Sequence, residues 1–203
     1  MLKLLPGKQA PSGASEWPES FDIRAARRLM FPAVIFPLLA FDKCASRWLY
    51  RHNSGLVSYV ARLLSALGSE RIFIPCAVIA ASVALWQRHL AGAVALILVT
   101  IVTRTCIYAF KDIVRRPRPP FSELSSSSFP SGHTMAISAI YGTAAFVLTD
   151  SNRSLLPTIA VFSTLLAMAV GTARVIRGFH WLTDIAAGMI SGLALFILVV
   201  IGL

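Results

Sequence analysis

From residue 72 onward the chain is a series of apolar runs, 72–86, 91–110, 131–148, 155–172 and 185–203, separated by short polar segments. In a bilayer every backbone N–H and C=O must be satisfied within the segment, so runs of this length fold as helices. A further apolar stretch, 29–41, carries Pro32 and Pro37 and covers only about 20 Å as a helix. Extension back through residues 23–26, with Arg27 and Arg28 snorkelling, makes it a first span. Composition agrees. The chain is 56% hydrophobic and 14% charged, whereas a soluble domain carries roughly a quarter charged residues. The expected fold is an all-α polytopic membrane helix bundle with about six transmembrane helices.

Two other segments complete the outline. Residues 1–22 are rich in Pro, Gly, Ser and charge, lack the apolar core of a signal peptide, and read as a mobile N-terminal tail ahead of a membrane domain over 23–203. Leu56, Val60, Leu63, Leu64 and Leu67 recur at helical spacing, with Ser58, Arg62 and Ser65 on other faces. This is an amphipathic interfacial helix, lying on the membrane surface or packed on the bundle. Gly68 ends it.

Charge is concentrated where the spans end. The chain has 19 Lys and Arg against 9 Asp and Glu, a net charge of +10. Such an excess suits nucleic acid, an anionic lipid surface or a phosphorylated substrate. The arginines sit at helix ends with no soluble basic domain, which excludes nucleic acid. Cys44, Cys76 and Cys106 have no metal-type spacing, and neither a metal site nor a cofactor is expected.

Three polar clusters lie in the second half: KDIVRRPRPP over 111–120, FPSGHT over 129–134 and ARVIRGFHWLTD over 173–184. The first follows the third span and the second opens the fourth, so both lie on one side. The chain crosses on the fourth span and returns on the fifth, which brings the third cluster to that same side. One membrane face therefore gathers Lys111, Arg115, Arg116, Arg118, His133, Arg174, Arg177, His180 and Asp184. Ionisable residues at such a place mark a functional site, and an excess of cations calls for an anion. Ser131, Gly132 and His133 open a helix, whose free N–H groups suit phosphate oxygens. Gly132 allows close approach to the backbone. On a helical turn His180 and Asp184 face the same way. A carboxylate on one ring nitrogen then leaves the other free to attack, and His133 can protonate the leaving oxygen. Lys111, Arg118 and Arg174 can spread over the equatorial oxygens of a five-coordinate transition state. Arg115, Arg116 and Arg177 read as topology determinants. Arg104, two turns before Lys111, is a snorkelling or internally paired arginine, or a charge beneath the site.

These clusters resemble the type-2 phosphatidic acid phosphatase superfamily, whose pattern is Lys-x6-Arg-Pro, Pro-Ser-Gly-His and Ser-Arg-x5-His-x3-Asp. Lys111, Arg118 and Pro119 match the first part, Pro130 to His133 the second, and Arg174, His180 and Asp184 the third. Ala173 departs from the pattern, standing where the family usually has serine. The resemblance covers about residues 70–203. It implies His180 as the nucleophile of a phosphohistidine intermediate, Asp184 as its orienting group and His133 as general acid. Lys111, Arg118, Ser131, Gly132 and Arg174 would hold the phosphate, with no metal. It further implies a bacterial inner-membrane enzyme with an outward-facing site. The substrate is expected to be undecaprenyl diphosphate, with phosphatidylglycerophosphate, phosphatidic acid or lipid A as alternatives. A phosphotransferase on the same site and a non-enzymatic lipid or anion transporter are the rival activities.

Overall fold

A computed structural model describes residues 32–51, 54–120, 122 and 124–203, so the expected tail and residues 23–31 of the first span lie outside the described residues. Among the described residues the chain is all helical. The helices are α1 (Pro32–Arg51), α2 (Gly55–Leu67), α3 (Glu70–Trp86), α4 (Leu90–Val114), α5 (Gly132–Leu148), α6 (Leu156–Ile176) and α7 (Leu182–Gly202). Length and apolarity make α4, α7 and the segment Arg153–Ile176 candidate membrane spans. The pair α2 and α3, bent by 44° at Gly68 and Ser69, makes a fourth if it is one broken span. Among the described residues, length and apolarity alone therefore support three or four of the expected six. At 1.5 Å per residue α5 is about 25 Å long, short of a ~30 Å hydrocarbon core.

That short helix is the axis of the molecule. α5 packs against α3, α4, α6 and α7, and Thr134 to Ile140 are buried without a break. Its ladder loosens into a π-helical turn over Ile137–Tyr141. Close packing with α7 uses small residues, because a Cβ at Gly188 would meet the Ser131 carbonyl at 2.5 Å and one at Gly192 the Met135 carbonyl at 2.5 Å. Small residues at helix contacts are how membrane helices gain dispersion contacts where lipid is as apolar as leucine. The helix termini of α4, α5, α6 and α7 that carry the polar clusters meet at one end of the bundle.

The same inside-out logic corrects the reading of α2. Its packed face is made by Ala61 and Ser65, set against α6, while Leu56, Val60 and Leu63 of the apolar stripe are exposed. The stripe is therefore split: its outer part is exposed, while Leu64 is half-buried and Leu67 packs against the core at Ile137 and Val170. α1 was legible only in its apolar half. It runs on through Asp42, Lys43 and Arg47 to Arg51 and packs on α6 and α7.

Candidate active site

The end of α4 sets the first group of side chains. Lys111 lies in its last turn, and Arg115 stops it by taking the left-handed conformation, φ 48°. Arg115 folds its own Nε back to the Asp112 carbonyl at 2.9 Å. The chain then reverses, and its loop is fastened by Ser128 N–H donating to the Arg116 carbonyl at 2.8 Å and Trp181 Nε1 to the Pro117 carbonyl at 2.9 Å. Arg118 is consumed by this loop. Its Nε donates to the Ser126 carbonyl at 2.7 Å, Nη2 to Ser126 Oγ at 3.0 Å and the Ser127 carbonyl at 3.1 Å, and Nη1 to the Phe179 carbonyl at 2.6 Å. Of five guanidinium donors, one is left for a ligand.

The second group comes from the start of α5. The Phe129–Pro130 peptide is cis, and Ser131 N–H donates to the Asp184 carbonyl at 3.0 Å, which ties the start of α5 to α7. No side chain caps α5. The Ser131 Oγ is buried and has no hydrogen-bond partner among the described residues. Gly132 and His133 line a cavity of about 180 Å³ together with Lys111, Arg118, Ser126, Arg174 and His180. The bend between α2 and α3 closes over His133: a Cβ on Gly68 would lie 2.7 Å from the histidine Cβ. At Gly132 a Cβ would instead meet Ile107 at 3.2 Å. The glycine there makes room for α4 as well as leaving its backbone on the cavity.

The third group brings a correction. The helix α6 continues to Ile176, so Arg174 sits in its last turn rather than in a junction. Gly178, at φ 71°, turns the chain, which favours a residue without Cβ. His180 precedes α7 and is not on a helical turn with Asp184. Trp181 is extended, φ −86° and ψ 158°, and Asp184 at the third helical position accepts its backbone N–H at 2.9 Å through Oδ2. Helix capping, not helical spacing, brings the pair together. His180 Nδ1 lies 3.5 Å from that same Oδ2, long for a hydrogen bond, and such contacts tighten when a ligand binds. His180 is 2% exposed and Asp184 fully buried.

The electrostatics favour a neutral imidazole. Burial pushes His180 down to about 4 against the pull of Asp184, and Arg174 and Arg118 lower it further. Burial also lowers Arg118 from its ordinary value, opposed by Asp184. Arg174 is 6% exposed; its Nη1 donates to Ser65 Oγ at 3.1 Å, its guanidinium lies 4.4 Å from the Phe179 ring centre, and its Nε has no partner among the described residues. Arg177 shares both neighbours, donating to Ser65 at 3.1 Å and lying 4.6 Å from the same ring.

Three acidic or hydroxyl features escaped the sequence. Glu70 lines the cavity beside Lys111, held by Arg104 at 3.1 Å and by the Tyr108 hydroxyl at 3.0 Å. Arg104 is thus internally paired, one of the two readings given for it. Glu70 opens the first turn of α3, a position that reads as ordinary helix chemistry. Ser65 was placed off the apolar face but not linked to the arginines. Arg116, read as a topology residue, bridges two buried carboxylates, Asp184 at 2.7 Å and Asp42 at 2.7 Å.

The arrangement offers a neutral, buried imidazole facing a cavity, a second histidine across it, and cations with an uncapped helix start around both. Comparison with known proteins agrees with that chemistry. The PAP2 superfamily model matches residues 90–202. The chain is 31% identical over 142 residues to phosphatidylglycerophosphatase B of Bacillus subtilis, covering 67% of this chain and 70% of that protein. Its fold matches the crystal structure of a transmembrane PAP2-type phosphatidylglycerolphosphate phosphatase from Bacillus subtilis, with a TM-score of 0.74 and 27% identity over 87% of this chain and 89% of the other. The crystal structure of Aquifex aeolicus LpxE shares the fold, with a TM-score of 0.61 and 22% identity over 76% of this chain and 92% of that one.

Proposed function

The chain belongs to the PAP2 superfamily and is an integral membrane, metal-independent lipid phosphatase, and from that premise we propose that it removes the terminal phosphate of phosphatidylglycerophosphate. The observation that carries the reading is the shared cavity of Lys111, Arg118, His133, Arg174 and His180 at one end of the bundle. The choice of lipid rests on the Bacillus subtilis phosphatase, named for that substrate both as a curated protein and as a crystal structure. Undecaprenyl diphosphate, the substrate expected from sequence, becomes the main competitor.

The mechanism we propose assigns the roles that the family resemblance implies, and the geometry is compatible with them. Nδ1 of His180 faces Asp184, so Nε2 is the attacking atom. Its lone pair forms a bond to phosphorus as the phosphorus–oxygen bond to the glycerol breaks. The developing charge on the equatorial oxygens falls to Lys111, Arg174, the remaining donor of Arg118, the Ser131 hydroxyl and the first N–H groups of α5. His133 gives the departing alkoxide its proton. Water then attacks the phosphohistidine; His133 takes its proton, the nitrogen–phosphorus bond breaks and inorganic phosphate leaves. Asp184 holds the ring in the tautomer that both steps need.

We place the site on the outer face of the inner membrane. The resemblance implies that orientation, and Arg88 and Arg153, in the turns at the other end of the bundle joined by the His89–Ser151 contact of 3.1 Å, suit a cytoplasmic face once the cations that serve phosphate are left out of the count. The test is phosphate release by purified protein on phosphatidylglycerophosphate, undecaprenyl diphosphate, phosphatidic acid and a lipid A phosphate, each beside His180→Ala. Preference for the first, lost in the variant, is the expected result. Preference for another lipid overturns the substrate, and turnover by the variant overturns the nucleophile. Phosphate passed to an added lipid or sugar hydroxyl instead of water identifies a transferase.

A further inference from the structure

Asp184 is fully buried, and a buried carboxylate stays charged only beside donors or a cation. Besides Trp181 N–H, its partner is Arg116 Nη1 at 2.7 Å. Arg116 is not part of the three-part signature, and it does not act alone. Its Nη2 donates to Asp42 Oδ2 at 2.7 Å. Asp42, on α1 and 1% exposed, also accepts the Thr183 backbone N–H at 2.9 Å through Oδ1 and the Thr183 hydroxyl through Oδ2. The Thr183 hydroxyl in turn accepts from Arg116 Nη1 at 2.6 Å. The guanidinium lies 5.6 Å from the Trp181 ring centre, which keeps water from one side of it. A continuous line therefore runs His180, Asp184, Arg116, Asp42, with Thr183 bonded to both Arg116 and Asp42.

The charges along that line decide what it does. Arg116 and Asp184 by themselves sum to zero. His180 would then face Lys111 from α4, Arg118 from the following loop, Arg174 and Arg177 from α6 and His133 from α5, with Glu70 as the carboxylate that lines the cavity among the described residues. Attack on phosphorus draws the imidazole lone pair into a bond and leaves the ring positive, which such a surround opposes. Asp42 restores one net negative charge behind the ring.

We propose that Asp42 is a positioning residue for phosphoryl transfer, holding Arg116 and Thr183 so that Asp184 stays ionised, oriented and electrostatically effective against His180. This rests on His180 being the nucleophile. Asp42 touches no substrate and acts through two other side chains. It also gives α1, outside the signature and outside the residues matched by the family model, a place in the reaction.

The experiment measures kcat, KM and the pH profile of the full-length protein in detergent for wild type, Asp42→Asn, Arg116→Gln and the double variant, with His180→Ala beside them. Asp42→Asn is expected to lower kcat about tenfold or more while KM changes less than about twofold. Its acid limb should move to lower pH, because an unneutralised Arg116 disfavours a proton on His180. Arg116→Gln should also lower kcat, but move the limb to higher pH, because two carboxylates are then left unpaired. The double variant should exceed Arg116→Gln in kcat. A merely structural role gives neither opposite shifts nor rescue. Wild-type kcat in Asp42→Asn, or limbs moving the same way, overturns the proposal while an inactive His180→Ala keeps the nucleophile. Turnover by His180→Ala removes the premise instead. Should Asp42→Asn fail to fold, Thr183→Val reads the same link: kcat several-fold lower with an unmoved limb supports it, and wild-type kcat overturns it.

Discussion

Arg118 donates a 2.6 Å hydrogen bond to the carbonyl of Phe179, the residue immediately before His180. Its other three bonds hold Ser126 and Ser127. The arginine of the first motif thus fastens the loop that walls the cavity and the stretch of chain that presents the proposed nucleophile, and it keeps one donor for the proposed phosphate. Lysine keeps the charge but cannot reach four separate backbone and side-chain acceptors from a single nitrogen. Arg118→Lys is expected to lower kcat/KM about 100-fold, about 2.7 kcal/mol of transition-state stabilisation. Hydrogen exchange over 124–128 should rise in the same variant. Near-normal activity with unchanged exchange would show that Arg118 serves as a charge alone.

The depressed His180 sets the acid side of the pH profile. Only the neutral ring has a lone pair for phosphorus, and burial holds the residue neutral down to about 4. The kcat/KM of free enzyme should therefore persist through pH 5 to 6 and fall as pH drops through about 4. Stability moves in the same direction. The unfolded chain takes up this proton near the ordinary value of 6.5 and the native state does not, so stability declines as pH falls from about 6.5 towards 4. An acid limb near 6.5 in the rate profile would mean that the ring is solvated.

Orthovanadate takes the five-coordinate shape of the transition state, and the cavity presents cations on several sides of the position that phosphorus would occupy. Competitive inhibition is expected, and it should weaken in His180→Ala, which loses the apical nitrogen. EDTA should leave turnover largely intact. Loss in EDTA restored by a divalent ion would contradict the histidine mechanism, and absence of inhibition at high vanadate would contradict the geometry.

What sequence showed and what it missed follow from how local each cause is. Lys111, Arg118, His133, Arg174 and His180 could be assigned to one face because helix parity alone decides the side on which a cluster emerges, and they line one cavity. Their assembly with Asp184 was foreseen for the wrong reason, since capping of α7 through Trp181 and not a shared helical turn aligns it. Asp42 was invisible because its meaning lies in partners 74 and 141 residues away, within a stretch of α1 that reads as polar junction. The periodicity of α2 showed an amphipathic helix but left open whether it packs on the bundle, because hydrophobicity marks the buried face only in water; the small residues Ala61 and Ser65 make its closest contact. The six expected spans are only partly supported among the described residues: α5 is shorter than a bilayer core is thick, and residues 23–31 of the first span lie outside them.

Ala173 is the position where the chain departs from its family, and the structure says what a serine would meet there. Ala173 is 2% exposed and lines an apolar groove of about 440 Å³ with Leu56, Val60 and Leu64 of α2 and Ala169 and Ile176 of α6. Arg174 lines the catalytic cavity instead, because successive residues on a helix point about 100° apart. A hydroxyl at 173 therefore faces α2 and not the phosphate. It can satisfy itself by donating to the carbonyl four residues earlier, at Ala169, which costs little in a helix. Ala173→Ser is expected to change kcat/KM by less than about twofold, with a melting shift of no more than a few degrees. Steady-state kinetics and a thermal melt in detergent check both. A gain above tenfold would place the hydroxyl on the phosphate after all. A loss of that size would show that α2 must shift to admit it, dragging Ser65 and with it the grip on Arg174 and Arg177.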